Sequence, residues 1–141
     1  YFADRGIELT RSFKALKVWM TMRAQGTDLL GAHIARNIDQ AAYLESLVRA
    51  EDELELLAPV PLNLVNFRYT KPGLGDDALS ALNREILVQL QERGIAMPSG
   101  TMIRGKYAIR VAITNHRSQQ SDFDALVAGV LSLGRELSHE T

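Results

Sequence analysis

Arg110 is the residue best placed to do chemistry in this chain of 141 residues. It interrupts the run Lys106-Tyr107-Ala108-Ile109-Arg110-Val111-Ala112-Ile113-Thr114, which otherwise has the composition of a buried strand. Side chains alternate faces along a strand. Tyr107, Ile109, Val111 and Ile113 therefore share an apolar face, and Ala108, Arg110, Ala112 and Thr114 share the other. A guanidinium between two alanines has space around it. It is planar, permanently charged and shaped to hold a carboxylate or phosphate through two parallel hydrogen bonds. Two uses fit this pattern: a strand arginine with its head in water or paired to a helix acid, and an anchor for a substrate anion.

The other reactive residue types are scattered. His33, His116 and His139 are far apart and lack metal-ligand spacing. Glu51, Asp52, Glu53 and Glu55 cluster, but in an expected surface turn and on a solvated strand face. A general acid needs a raised pKa, which burial usually supplies. The chain has no Gly-rich phosphate loop, no Gly-x-Ser-x-Gly elbow and no cysteine. By residue inventory it carries no complete active site.

The elements that must hold Arg110 follow from periodicity. Residues 1–10 read as an extended lead-in. Ser12 is a candidate cap for a first helix through Arg23, with Phe13, Leu16, Trp19 and Met20 at the spacing of one apolar stripe. Trp19 is expected in the core. Gly26 ends that helix, and Thr27 or Asp28 opens a second one to about Ala50, with Leu30, Ile34, Ile38, Ala41, Leu44 and Val48 inward. The period then changes. Residues 53–57 and 62–69 read as strands separated by Pro59 and Pro61. Asp76 or Asp77 caps a third helix carrying Leu79, Leu82, Ile86, Leu87 and Leu90, which Gly94 stops. Residues 95–104 form a third strand broken at Pro98-Ser99-Gly100. Arg104-Gly105-Lys106 turns tightly into the Arg110 strand. Ser121 and Asp124 resemble a capping box for a last helix over residues 122–137. Segregated helices and strands predict an α+β fold: a small, mainly antiparallel sheet with helices on one face. The expected division is 1–50, lead-in and linking helices, and 51–141, a small α+β domain.

Composition narrows the function. A hydrophobic fraction of 46% supports a real core, and 16 basic residues against 17 acidic ones give a net charge of -1. That balance argues against nucleic acid or an acidic membrane as partner. No apolar run reaches bilayer length, and the start resembles no targeting segment, so a cytoplasmic protein is expected. The first residue is Tyr rather than Met, which suggests a piece of a longer protein. The apolar residues of the first two helices, within 11–50, are expected to pack against something outside this chain, either a larger domain or a second copy.

Two blocks of sequence carry a resemblance. Arg11-Ser-Phe-Lys-Ala-Leu-Lys-Val-Trp-Met-Thr-Met-Arg-Ala-Gln-Gly26 resembles a stretch of the pyridoxal-phosphate-dependent group II amino-acid decarboxylases. Val65-Asn66-Phe67-Arg68 is similar to that family's V-x-F-R strand. Gly94, Thr101 and the run from Tyr107 through Arg110, Asn115 and Arg117 to Ser118 resemble its "L-R-x-x-I-x-N-x-R-T". The resemblance implies the C-terminal small domain of the aspartate-aminotransferase architecture (fold type I), preceded by helices linking it to a large domain. It implies pyridoxal 5'-phosphate as cofactor, an L-amino acid as substrate, and a homodimer. The Schiff-base lysine of the family lies upstream, and Lys14, Lys17, Lys71 and Lys106 do not match its setting, so this chain alone should be inactive. Arg110 aligns with the arginine that contacts the substrate carboxylate in the family's glutamate decarboxylases, and would hold the α-carboxylate here. Arg11 and Lys17 are either helix-surface charges or residues that make dimer or hinge contacts. The Asn-His-Arg-Ser ending is more like the aromatic-type members. Two other readings remain: an aldehyde-forming relative of the same family, and a stand-alone ferredoxin-like binding or dimerisation module without catalysis.

Overall fold

The computed structural model describes residues 12–139. The expected lead-in and Arg11 lie outside them. The elements are α1 (Lys14–Gln25), α2 (Thr27–Ala50), β1 (Leu54–Leu56), β2 (Leu64–Tyr69), α3 (Asp76–Glu92), β3 (Ser99–Ile103), β4 (Lys106–Ala112) and α4 (Gln120–Leu137). The four strands form one antiparallel sheet in the order β1-β2-β4-β3. The described residues divide into two compact units, the first ending at Ile34 and the second beginning at Ala35. This division falls inside α2 rather than at its end, because Ala41, Leu44 and Val48 are buried and belong to the core of the second unit.

In that unit α3 and α4 cover one face of the sheet. Val65, Phe67 and Tyr69 of β2, with Ile109 of β4, meet Leu82, Ile86 and Leu90 of α3 and Phe123, Leu126 and Val130 of α4. The alternation read from sequence puts these strand residues on one side, as expected. The packing is close: a methyl at Gly134 would lie 2.5 Å from the Tyr69 ring. Among the described residues, no helix is long and apolar enough to cross a membrane.

The helix ends show where local reading was right and where it was not. Gly94 has φ +66°. Its N–H donates to Gln91 O, and the Ile95 N–H donates to Leu90 O. Together these bonds form a Schellman motif, which requires the left-handed conformation at Gly94. Arg104 and Gly105, at φ +50° and +80°, are the two central residues of the β3–β4 hairpin, as a type I′ turn demands. The expected caps are different. Phe13, not Ser12, is the N-cap of α1, and no side chain caps it. Gly75 precedes α3, so Asp76 and Asp77 sit in the first turn, where they favour the positive end of the helix dipole. The capping box of α4 is formed by Gln119 and Asp122, not by Ser121 and Asp124. Gln119 N–H donates to Asp122 Oδ2 at 2.9 Å.

Helix α1 has no buried residue. Trp19, expected in the core, is 60% exposed, and Phe13 is 73% exposed. Val18 and Met22, off the expected stripe, are exposed too. Ile34 of α2 is also exposed rather than inward.

Candidate functional site

The candidate site centres on Arg110, whose side chain lies on the sheet face opposite α3 and α4. Arg110 is half-buried there. Its strand is central, with Asn66 of β2 opposite it on one side and Ser99 of β3 opposite it on the other. Pairing on both sides fixes the backbone from which the guanidinium projects, and the small Ala108 and Ala112 leave it room. Arg110 Nη1 donates to Ser99 Oγ at 3.4 Å, and the Ser99 hydroxyl donates back to Arg110 O at 3.3 Å. Among the described residues, no carboxylate pairs with Arg110.

Arg68 shows the contrast. It lies on the same face, one pleat along β2 from Asn66, and is 3% exposed. Its Nε donates to Glu55 Oε2 at 2.7 Å, and its Nη1 is 2.9 Å from Asp76 Oδ1, in a geometry that makes no hydrogen bond. Lys106 Nζ reaches the other oxygen of Glu55 at 3.1 Å. Arg68 is therefore compensated within the chain and Arg110 is not. Strand alternation places both on one face but cannot distinguish them; the distinction comes from Glu55, on the neighbouring strand, and Asp76, beyond the following loop.

A cavity of about 520 Å³ opens beside Arg110. It lies at the edge of the sheet: Ile95 and Met97, with Phe123 and Leu126 of α4, give it apolar walls, and Arg110 and Asn115 contribute to its lining. Asp122 also lines it, but its carboxylate is engaged in capping α4. Asn115 Oδ1 accepts from the Arg117 N–H at 3.0 Å, so it shapes the loop after β4. The cavity opens where β3 begins its pairing, at Ser99–Arg110, because the following stretch of β4 has no neighbour on that side. Sequence reading placed Arg110 but not this opening, which depends on where β3 begins.

The clustered carboxylates do not line this cavity, and two of them, Glu53 and Glu55, are held by cations rather than simply solvated. Glu53 accepts from Tyr69 Oη at 2.8 Å and from Arg135 Nε at 2.9 Å. Arg135 and Tyr69 hold its carboxyl below the ordinary value. Burial opposes ionisation of Glu55, but hydrogen bonds from Arg68 and Lys106 outweigh it and lower its pKa as well. Because both pKa values fall on folding, the stabilisation is complete above the unfolded value near 4.5 and is lost as pH falls through the depressed folded values. The melting temperature should be flat towards neutral pH and fall in acid, with a shallower acid limb in Glu55→Gln. An unchanged limb in that variant would show that the Glu55 pairs contribute nothing.

The residues around Arg110 do not form a seat for a carbonyl cofactor that binds lysine. No lysine lines the cavity. Lys71 Nζ donates to Ser138 O at 2.7 Å, and Lys106 is paired with Glu55. The described residues also hold no cluster of His, Cys, Asp and Glu able to bind a metal ion.

Comparison with known proteins gives matches along nearly the whole chain. The pyridoxal-dependent decarboxylase conserved domain matches residues 2–70. An aromatic-L-amino-acid decarboxylase of Bacillus atrophaeus is 30% identical over 138 residues, covering 97% of this chain and 29% of that protein. A 4-hydroxyphenylacetaldehyde synthase of Rhodiola rosea is 30% identical over 125 residues, covering 89% of this chain and 26% of that protein. Among solved structures, Oryza sativa TDC with PLP and tryptamine superposes with a TM-score of 0.83 at 26% identity, over 95% of this chain and 29% of that one. The chain thus spans less than a third of the length of these relatives.

Proposed function

We propose, given that this chain belongs to the pyridoxal-dependent decarboxylase family, that it supplies the small domain of an enzyme removing the α-carboxyl group of an L-amino acid as carbon dioxide. The observation that carries this reading is Arg110: a charged fork without a partner carboxylate among the described residues, on a central strand beside a cavity of about 520 Å³. In this reading Arg110 grips the substrate α-carboxylate through two parallel hydrogen bonds. A group held at both oxygens cannot rotate freely, so the clamp sets the angle of the bond to be broken. The apolar walls beside it suit an aromatic side chain.

Pyridoxal phosphate, the cofactor of the family, supplies the chemistry of carbanion stabilisation. No lysine lines the described cavity, so in this reading the lysine that binds the cofactor lies elsewhere. The chain on its own is therefore expected to be inactive. The exposed apolar residues of α1 fit surface reserved for the rest of the enzyme or for a homodimer partner, which disfavours a stand-alone binding module. A second reading keeps the fold and gives an aldehyde-forming reaction; the match to 4-hydroxyphenylacetaldehyde synthase favours considering it.

The test uses the enzyme that bears this chain, purified with pyridoxal phosphate. Yellow absorbance of the bound cofactor together with carbon dioxide release from a panel of L-amino acids is the expected result. Aldehyde and ammonia among the products would select the second reading. Failure to bind the cofactor would remove both.

A further inference from the structure

Asn66 stands directly opposite Arg110 across the β2–β4 ladder. Such pairs share a face, with Cβ atoms about 4.5–5.5 Å apart. Asn66 is only 7% exposed, and its backbone carbonyl accepts from the Leu57 N–H at 2.9 Å. Among the described residues, however, its side-chain amide makes no hydrogen bond. Its polar atoms are nonetheless not sealed off: the buried side-chain polar atoms without a hydrogen bond among the described residues are Asn37 Oδ1, Gln40 Oε1 and Arg68 Nη1. The buried amide of Asn83, by comparison, is used at both ends.

Two neighbouring groups on one sheet face therefore leave donors unclaimed: the NH2 of Asn66, and the Arg110 fork, whose contact with Ser99 Oγ is long at 3.4 Å. The nearby charges on that face do not fill the gap, because Glu55 serves Arg68 and Lys106, and Asp76 lies against Arg68. A carboxylate has two oxygens and about four acceptor positions, enough to meet both donors at once. We infer that Asn66 is a second carboxylate-binding residue, donating from Nδ2 to the carboxylate that Arg110 grips. The inference rests on the Arg110 reading above and adds a residue at the variable position of the V-x-F-R strand.

The experiment compares two variants of the enzyme bearing this chain, Asn66→Leu and Asn66→Asp, with Arg110→Ala. Each is assayed for KM of the amino acid, for inhibition by the corresponding amine, which lacks the carboxylate, and for melting temperature without substrate. Asn66→Leu should raise KM roughly tenfold, the loss of one hydrogen bond to a charged group. Amine inhibition should not change, and the melting temperature should hold, because the Asn66 amide makes no hydrogen bond within the described residues. Asn66→Asp should lose more, because its carboxylate competes for Arg110; it decides the matter if the leucine variant fails to fold, and normal KM there would overturn the inference. Unchanged KM in Asn66→Leu with impaired Arg110→Ala would overturn the role of Asn66 alone. Unchanged KM in both Asn66→Leu and Arg110→Ala would overturn the Arg110 reading itself. Equal weakening of amino acid and amine would assign Asn66 to packing and also overturn the inference.

Discussion

Replacing Arg110 with alanine is expected to lower kcat/KM for the amino acid by about 30-fold to several thousand-fold, corresponding to roughly 2–5 kcal/mol for removing one partner of a buried charge pair. The size follows from what is left behind. In the variant the substrate carboxylate enters a half-closed cavity without its counter-charge, and its orientation is no longer fixed. Arg110→Lys should fall between, since a lysine keeps the charge and loses the planar fork. Stability should hardly change, because Arg110 has no ion pair among the described residues and its contact to Ser99 is long. A large fall in activity with an unchanged melting temperature is therefore the expected outcome. Near-normal turnover of Arg110→Ala would refute the assignment.

The largest expected effect on stability is at Asn83. This residue is fully buried, and its side chain acts as a substitute strand. The β2–β4 ladder runs only as far as Phe67–Ile109. Beyond it, the Tyr69 N–H donates to Asn83 Oδ1 at 2.7 Å, and Asn83 Nδ2 donates to Tyr69 O at 2.8 Å. A further bond runs from Nδ2 to Leu79 O at 2.8 Å, and the Tyr107 N–H turns to Ser80 Oγ at 3.2 Å. Helix α3 thus takes over backbone groups that the strands no longer satisfy for each other. Asn83→Leu keeps the volume but strands a donor and an acceptor in the core, at about 1–3 kcal/mol for each group. The melting temperature should fall on the order of 10 °C. Asn83→Asp should do no better, because it removes both donated bonds. Thermal unfolding of the two variants measures this, and a shift of only a degree or two in Asn83→Leu would mean that water replaces the amide.

Residue patterns carried much of this fold. Alternation in 106–114 and the apolar spacing of the third and fourth helices identify the core faces, and Gly94 and Arg104-Gly105 mark their turns by backbone chemistry that few other residues tolerate. Features that depend on one side chain meeting another far along the chain were not legible. Asn66 and Asn83 are single polar residues inside apolar patterns, and neither has a spacing that reveals its partner. Ser12, Asp76 and Ser121 are good cap formers by type, yet each lies one or more residues from the actual helix boundary. Trp19 has the spacing of a core residue and is exposed in this chain, because periodicity identifies a surface that wants covering without identifying what covers it.

The β2–β4 pairing has a consequence for how the site comes into being. Asn66 and Arg110 meet across two strands separated in sequence by all of α3 and β3. Closing that loop costs chain entropy before any contact rewards it, and such non-local pairings form late and slowly. The carboxylate seat has no local precursor: neither strand holds half of it in a useful form. Recovery of substrate binding after denaturation should therefore track the slowest phase of refolding, while the far-ultraviolet helix signal returns earlier.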